Sequence, residues 1–399
     1  MDPTISNRIS TKGGLETTTT TIPLKDISTV SKSATASKPC GNSWVKNLTL
    51  ERLEPFPAYS YVDRNSRYIQ GQKASLIVST LLNYLRLNSI QVKYEEDSPG
   101  KFRCKTFDFV SFRINMFTRH VEGAMEPSVL VEIQRRSGCS ISFQKVRRSL
   151  LCTMDDLSST NTETFSRRGS LSHTTRCIDP CLTCFEGIPM EMKHENYDTI
   201  AEESLSEIQN HLKSDRTDAQ ILALELLVHL TNPAHTPIQV VKAAASKLLK
   251  SNEISESVKT LIVQGKDRSK ELEDLDLDLQ YDGDFVDNAR QMSLCILLNC
   301  FEAMSEYLPE ILEDSGGWMI ENVIPCLVRN LNEVEMNVHV ALQSTRVLAI
   351  LNNNSEDCRQ CMLREGVIEV SKHVVEYGTE WHEEIRNEAA LLYRQFVRM

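Results

Sequence analysis

The chain lacks several features that would assign it to a class at once. No run approaches the roughly 18 consecutive apolar residues of a membrane-spanning helix, so none is expected. The start, Met1-Asp2-Pro3-Thr4, has no charged region leading into an apolar stretch, and no secretory signal is expected. Without one, the sequons Asn47-Leu48-Thr49 and Asn353-Asn354-Ser355 carry little meaning, and the 12 cysteines read mostly as buried thiols rather than a disulfide frame. Aromatic residues make up 6% of the 399 and do not interleave with Lys and Arg, so stacking platforms, and with them a nucleic-acid partner, are not expected. No nucleophile is paired with a base, so an enzyme is not expected either, nor is a cofactor. The expected compartment is cytoplasm or nucleus, with peripheral attachment to membranes left open.

What is present is a split in charge. Residues 60–154 hold 15 Lys and Arg against 8 Asp and Glu, whereas residues 186–399 hold 19 against 38. A formal net charge of −11 therefore covers a basic block joined to a long acidic one. Such fields select partners: the basic block favours phosphate-bearing surfaces, and each block attracts the other.

Periodicity divides the chain further. Residues 1–43, rich in Ser, Thr and Lys, read as a disordered tail, and residues 44–62, with Trp44, Phe56, Tyr59 and Tyr61, as an irregular lead-in. Ala74, Ile77, Val78, Leu81, Leu82 and Leu85 form one stripe of a helix. Alternation then takes over in Ile90, Val92 and Tyr94, in Val110, Phe112, Ile114 and Met116, and in Val129, Val131 and Ile133, with Ile141 and Phe143 following a turn. From Lys145 to Thr153 the spacing is helical again. The expectation is an α+β module at 44–154, a four-stranded antiparallel sheet with two helices on one face. Residues 155–197 read as a Ser/Cys-rich linker.

From Asp198 onward the pattern is helical and partly self-similar. Asn337–Leu351 is echoed by Glu383–Tyr393, with Ala341 and Ala389 48 residues apart, and Gly317 and Gly366 are each read as opening a turn before a helix. Ala219–Leu230 and Asn288–Met304 read as earlier copies of the same long helix, spaced apart by an acidic insert, Lys270–Asp287. A period slightly above the ~40–47 residues of armadillo and HEAT units suggests an all-α helical-repeat module at 198–399.

Two resemblances follow. The helix Ala74–Leu87, the hairpin from Lys101-Phe102-Arg103-Cys104 to Val110-Ser111-Phe112, Val131–Arg136, and Gly138–Phe143 followed by the basic helix Lys145–Leu151 resemble the kinase-associated C-terminal (KA1) domain. That resemblance implies binding of anionic phospholipid head groups and, in some members, autoinhibition of a neighbouring domain. The chain departs from it in having no kinase: a Gly-rich loop, HRD and DFG are all missing. Arg364–Ile368 opening a helix, followed by Ile385–Phe396, resembles armadillo repeats, which implies a concave face for extended peptides or partner helices.

The candidate binding residues are basic. Lys101, Arg103 and Lys105 alternate along one strand, Arg135 and Arg136 flank a turn, and Lys145, Arg147 and Arg148 lie on a helix. Converging, they would make an anion- or lipid-binding surface; otherwise they answer the acidic half within the molecule or simply face solvent. Arg167-Arg168-Gly169-Ser170 has the R-R-x-S form of a phosphorylation site, and phosphate on Ser170 would add charge between the two blocks. Cys177, Cys181 and Cys184 have iron–sulfur spacing, but Thr183 stands where an aromatic is usual and the following chain is helical. Zinc, with His173 or His194, lacks a second CxxC, so no metal is expected. Asp278, Gln280, Asp282 and Gly283 start like a calcium loop, but Ala289 holds the last ligand position. Cys358 and Cys361 read as helix packing, and His229, His339 and His373 as single packed or exposed histidines.

The reading is a non-enzymatic regulatory or scaffold protein. Its basic module would dock on anionic lipid and its acidic repeat on a protein partner. The alternative is a pure protein–protein adaptor whose basic module clamps its own acidic half.

Overall fold

The stripe of apolar residues at 74–85 folds as expected into helix α1, Ala74–Leu87, which buries Ala74, Ile77, Val78, Leu81, Tyr84 and Leu85. The structure is a computed structural model and describes residues 49–57, 65–95, 98–119, 128–159, 197–214, 216–250, 253–264 and 280–397. These belong to one compact unit spanning residues 44–399. The tail 1–43, Ser170 and the cysteines at 177, 181 and 184 lie outside the described residues.

Among the described residues five strands, not four, form the antiparallel sheet: β1 (Ser66–Ile69), β2 (Gln91–Tyr94), β3 (Lys101–Lys105), β4 (Ser111–Arg119) and β5 (Ser128–Ser137). Their order is β1-β5-β4-β3-β2, a meander with β1 added beside β5, where Ser66 faces Glu132 and Ile69 faces Val129. With one aliphatic residue in four, β1 has no apolar alternation of its own. The strand expected at Ile141 and Phe143 is instead the first turn of helix α2, Ser140–Ser159. On a helix these two residues lie about 200° apart, so Ile141 is 57% exposed while Phe143 is buried; on a strand both would share a face. The same helix carries Asp155 and Leu157, so the chain stays regular beyond the point where the linker was expected.

Helices α1 and α2 cover one face of the sheet. Phe102, Phe112, Ile114 and Ile133 from the strands meet Leu81, Phe143 and Leu150 from the helices in a single core, with the Phe112 and Phe143 rings 6.2 Å apart. Each such side chain withdrawn from water contributes about 1.5–3 kcal/mol. The lead-in runs parallel beside the end of β4, where Phe56 N donates to Thr118 O (2.9 Å) and the Phe56 ring packs edge-on to Phe117.

The described residues from 197 onward are mainly helical: α3 (Tyr197–Leu212), α4 (Thr217–Thr231), α5 (Ile238–Leu249), α6 (Glu253–Gln264), α7 (Gln280–Ala303), α8 (Leu308–Trp318), α9 (Ile324–Asn332), α10 (Val338–Asn354), α11 (Glu356–Arg364), α12 (Val367–Trp381) and α13 (Glu383–Val397). The long helices α4, α7, α10 and α13 pack in a row, each on the next, and these are the four segments whose sequences echo one another. Ala341 and Ala389 are fully buried at equivalent places in it. Gly366 opens α12 from a left-handed turn at φ 78°, as the sequence suggests. Gly317, by contrast, lies within α8 and opens no turn. There the chain continues through a π-helical turn, Met319–Val323, into α9. Pro325 in the first turn of α9 has no N–H to donate, which accounts for the widened turn before it. The acidic stretch also differs from a simple insert, since α7 already begins at Gln280.

Candidate functional site

The basic residues singled out by sequence fall on two sides of the sheet. Lys101, Arg103 and Lys105 alternate with the core residues Phe102 and Cys104, so they point to the face that α1 and α2 leave uncovered. There Arg103 lies opposite Arg113 on β4, and both reach one carboxylate: Glu95 Oε1 accepts from Arg103 Nε at 2.5 Å and from Arg113 Nη2 at 3.0 Å. Burial works against the ionisation of Glu95. The hydrogen bond from Arg103 and the charges of Arg113, Arg103 and Lys101 outweigh it and hold the carboxyl below its ordinary value. Lys101 Nζ is 3.2 Å from Glu54.

Lys145, Arg147 and Arg148 belong to α2, on the other side of the sheet. Arg147 Nη1 donates to Asn65 Oδ1 (2.7 Å), while Lys145 and Arg148 are exposed. Arg135 and Arg136 are exposed at the end of β5, and Arg135 donates to Gly138 O at 2.7 Å. Three of the eight thus lie on the uncovered face and three on α2, while Arg135 and Arg136 end β5; the exposed Ile141 shares the side of α2 that carries Lys145 and Arg148.

A second constellation joins the sheet to the helical array. His339, on α10, is buried; its Nε2 is 3.0 Å from Lys105 O. A carbonyl only accepts, so Nε2 carries the proton and Nδ1 is left as a bare lone pair. Burial lowers the His339 pKa to about 3, against the opposing effect of that hydrogen bond. Two residues on, Phe107 packs edge-on against the His339 ring (5.9 Å) and its carbonyl accepts from Gln291 Nε2 on α7 (3.0 Å). His382, between α12 and α13, packs edge-on at 5.6 Å from the His339 ring and accepts from Ile385 N through Nδ1 at 3.3 Å. Burial lowers its pKa to about 4.

The turn after α1 makes the second half of this junction. Ser89 Oγ accepts from Glu384 N (3.2 Å), Gln91 Nε2 donates to Met336 O (3.1 Å), and Arg86 stands 3.8 Å from Glu383. Among the described residues, the non-glycine residues with positive φ are Ser89 (55°) and Phe109 (62°), and both sit at the junction. Left-handed backbone is unfavourable for such residues and is held here by surrounding contacts. Gly138 permits this on the sheet side: a Cβ there would lie 2.5 Å from Phe109 O.

The sequence marked His339 only as a single packed or exposed histidine and gave no mark to Ser89, Phe107, Gln291 or His382. One signal was available in Phe107-Asp108-Phe109: two aromatics at a hairpin turn, where polar residues normally stand, imply a cover.

Among the described residues no group of three His, Cys, Asp or Glu is placed to hold a metal, and no helix is long and apolar enough to cross a membrane. Cys358 and Cys361 are buried on α11. An apolar cavity of about 40 Å³, walled by Leu248, Val258, Ile262, Ile296 and Met319, has space for little more than one water. Lys259 sits 4.9 Å over the Trp318 ring at its edge. No family model, curated protein or solved structure matches the chain.

Proposed function

We propose that this chain is a non-enzymatic adaptor in which the α+β module is docked on its own helical array, and that the array carries the surface for a protein partner. The observation behind this reading is the junction itself: the carbonyl oxygens of Lys105 and Phe107 accept from His339 and Gln291, while Ser89 Oγ accepts from Glu384 N. The acidic array and the basic module thus meet through hydrogen bonds to backbone and ring contacts, with Arg86 and Glu383 as a long ion pair.

The test uses the full chain with a protease site placed between Ser159 and Tyr197. After cleavage the two pieces are expected to co-elute in gel filtration both at about 0.1 M and at about 1 M salt, where exposed charge pairs are screened over about 3 Å. Separation at the lower salt would overturn the reading. Separation at the higher salt alone would mean that the opposed charges, not these contacts, hold the pieces together.

One observation favours the lipid reading beside it. Arg135, Arg136, Lys145 and Arg148 are exposed, and Ile141, on the same side of α2 as Lys145 and Arg148, is an apolar side chain 57% in solvent. Basic residues near an anionic membrane contribute about 1 kcal/mol each, and a flanked apolar residue suits the interface. Vesicles containing phosphatidylserine should then float the chain while neutral vesicles do not. Replacing Arg136, Lys145 and Arg148 by Ala should abolish flotation, and unchanged flotation would sink this reading.

A further inference from the structure

The tip of the β3–β4 hairpin meets the array in the manner of a bound peptide. Lys105 and Phe107 are alternate residues, and both carbonyl oxygens are taken by side chains of the array at 3.0 Å. Phe107 stands in the turn that follows β3, and every residue has a carbonyl, so these bonds read the main chain of a turn and one aromatic ring, not the particular sequence of this hairpin. The fit is also incomplete. Gln291 Oε1, Gln343 Oε1 and His339 Nδ1 are buried with no hydrogen-bond partner, a rare condition for buried polar atoms. On the hairpin side Phe109 is held in a left-handed conformation. Both features disfavour the closed state relative to one with a better-matched occupant.

We propose that the face formed by Gln291 on α7 and His339 and Gln343 on α10 is a docking site for a turn-forming, aromatic-bearing segment of a protein partner. The chain's own Thr106–Val110 tip fills it as an internal ligand. The proposal rests on the docked reading given above. The partner segment would present two carbonyls flanking an aromatic residue. It would add a hydroxyl or amide donor for Gln291 Oε1 or Gln343 Oε1, which the hairpin does not supply.

The probe is a fluorescein-labelled synthetic peptide copying residues 104–111, with Cys104→Ser, titrated against the full chain. A site blocked by its own tip loses affinity in proportion to the fraction of time it is closed. The double variant Phe107→Ala, Phe109→Ala is therefore expected to bind the peptide at least about tenfold more tightly than the unaltered chain. Adding Gln291→Ala should remove that gain. Equal binding by the unaltered chain and the double variant, or binding indifferent to Gln291→Ala, would overturn the proposal.

Hydrogen exchange on the unaltered chain guards against a variant that fails to fold. The Thr106 and Val110 amides, bonded to Val110 O and Thr106 Oγ1, should exchange through an opening that leaves α7 and α10 protected. Exchange only through global unfolding would overturn the proposal. If the cleaved halves stay together while the peptide is not captured, this inference alone fails; if they separate, the docked reading fails with it.

Discussion

His339 Nε2 lies 3.0 Å from the carbonyl oxygen of Lys105, a residue 234 positions away in the chain, and with that bond its ring is closed off from water. Acid should act here. His339 and His382 have folded-state pKa values lowered to about 3 and about 4, from an ordinary value of 6.5, chiefly through burial. Below pH 6.5 the unfolded chain takes up protons that the folded chain refuses. The stability contributed by the neutral rings is thus complete above that value and is lost as pH falls toward 4. Asp108, Lys105 and Arg346 are the charged groups that modulate them. Each histidine adds a slope of up to about 1.4 kcal/mol per pH unit. Urea unfolding at about pH 7.5, 6 and 5 should show this slope, and His339→Gln should flatten it. A slope unchanged in that variant would assign the acid sensitivity to other groups.

Thiol reactivity should follow burial and the helix start. Cys139 and Cys152 are exposed, whereas Cys104, Cys295 and Cys300 are buried. Hydrogen bonds from the backbone of Ser142 and Ile141, in the first turn of α2, lower the Cys139 pKa, so it holds more thiolate near neutrality. Burial raises the Cys295 and Cys300 pKa values to about 12. Peptide mapping after brief iodoacetamide treatment should find Cys139 labelled before Cys152, with Cys295 and Cys300 untouched until urea is added. Faster labelling of Cys152 would mean that the helix-terminal amides do not govern reactivity.

Much of the scaffold was legible because local pattern and tertiary burial agree. The stripe of α1 and the alternation of Phe112, Ile114 and Met116 each place the same residues inward. The sequence echo between 337–351 and 383–393 marks helices that do stack. Where two apolar residues stood alone, as at Ile141 and Phe143, spacing could not separate strand from helix. Strand β1 was hidden for another reason: Ser66 and Tyr68 are positioned by β5, a partner remote in sequence. The junction was the least legible, because Ser89, Phe107, Gln291 and His382 acquire meaning only from one another across the fold. Charge counts offered contact between the two blocks only as one alternative, and gave no sign of the carbonyls and imidazoles at the junction.

Two glycines should respond in opposite ways to alanine. At Gly378 on α12 an added Cβ would lie 2.7 Å from Arg386 N and 2.9 Å from its Cα, so α12 and α13 can approach this closely only without a side chain there. Gly378→Ala forces the helices apart, a form of overpacking that costs about 1–3 kcal/mol. At Gly317, inside α8, nothing lies within 4 Å of the added atom. Gly317→Ala should stabilise by about 0.5–1 kcal/mol, the usual gain of alanine over glycine in a helix. Thermal melts compare the two directly, and loss of stability in Gly317→Ala would contradict its helical placement.

Arg346 on α10 holds carboxylates from the next helix in the row. Its Nη2 is 2.6 Å from Glu384 and 3.1 Å from Glu388, both on α13, and its charge also favours ionisation of Glu302 on α7. Burial, with Glu388 nearby, nonetheless raises the Glu302 pKa. Arg346→Met would keep the bulk and remove the charge, leaving three carboxylates facing one another. Because the side chains are a quarter to two-fifths exposed, the cost is discounted to about 2 kcal/mol near pH 7.5. The Glu302 carboxyl, already raised by burial, would lose the charge that lowers it and rise further above its unfolded value. The folded state would bind more protons, and the deficit should shrink as pH falls toward 5. Glu388→Gln in the same background should restore part of the loss at pH 7.5 and little at pH 5. Urea unfolding at both pH values decides the matter: an equal deficit at each would mean that Arg346 acts by packing between α10 and α13 rather than by its charge.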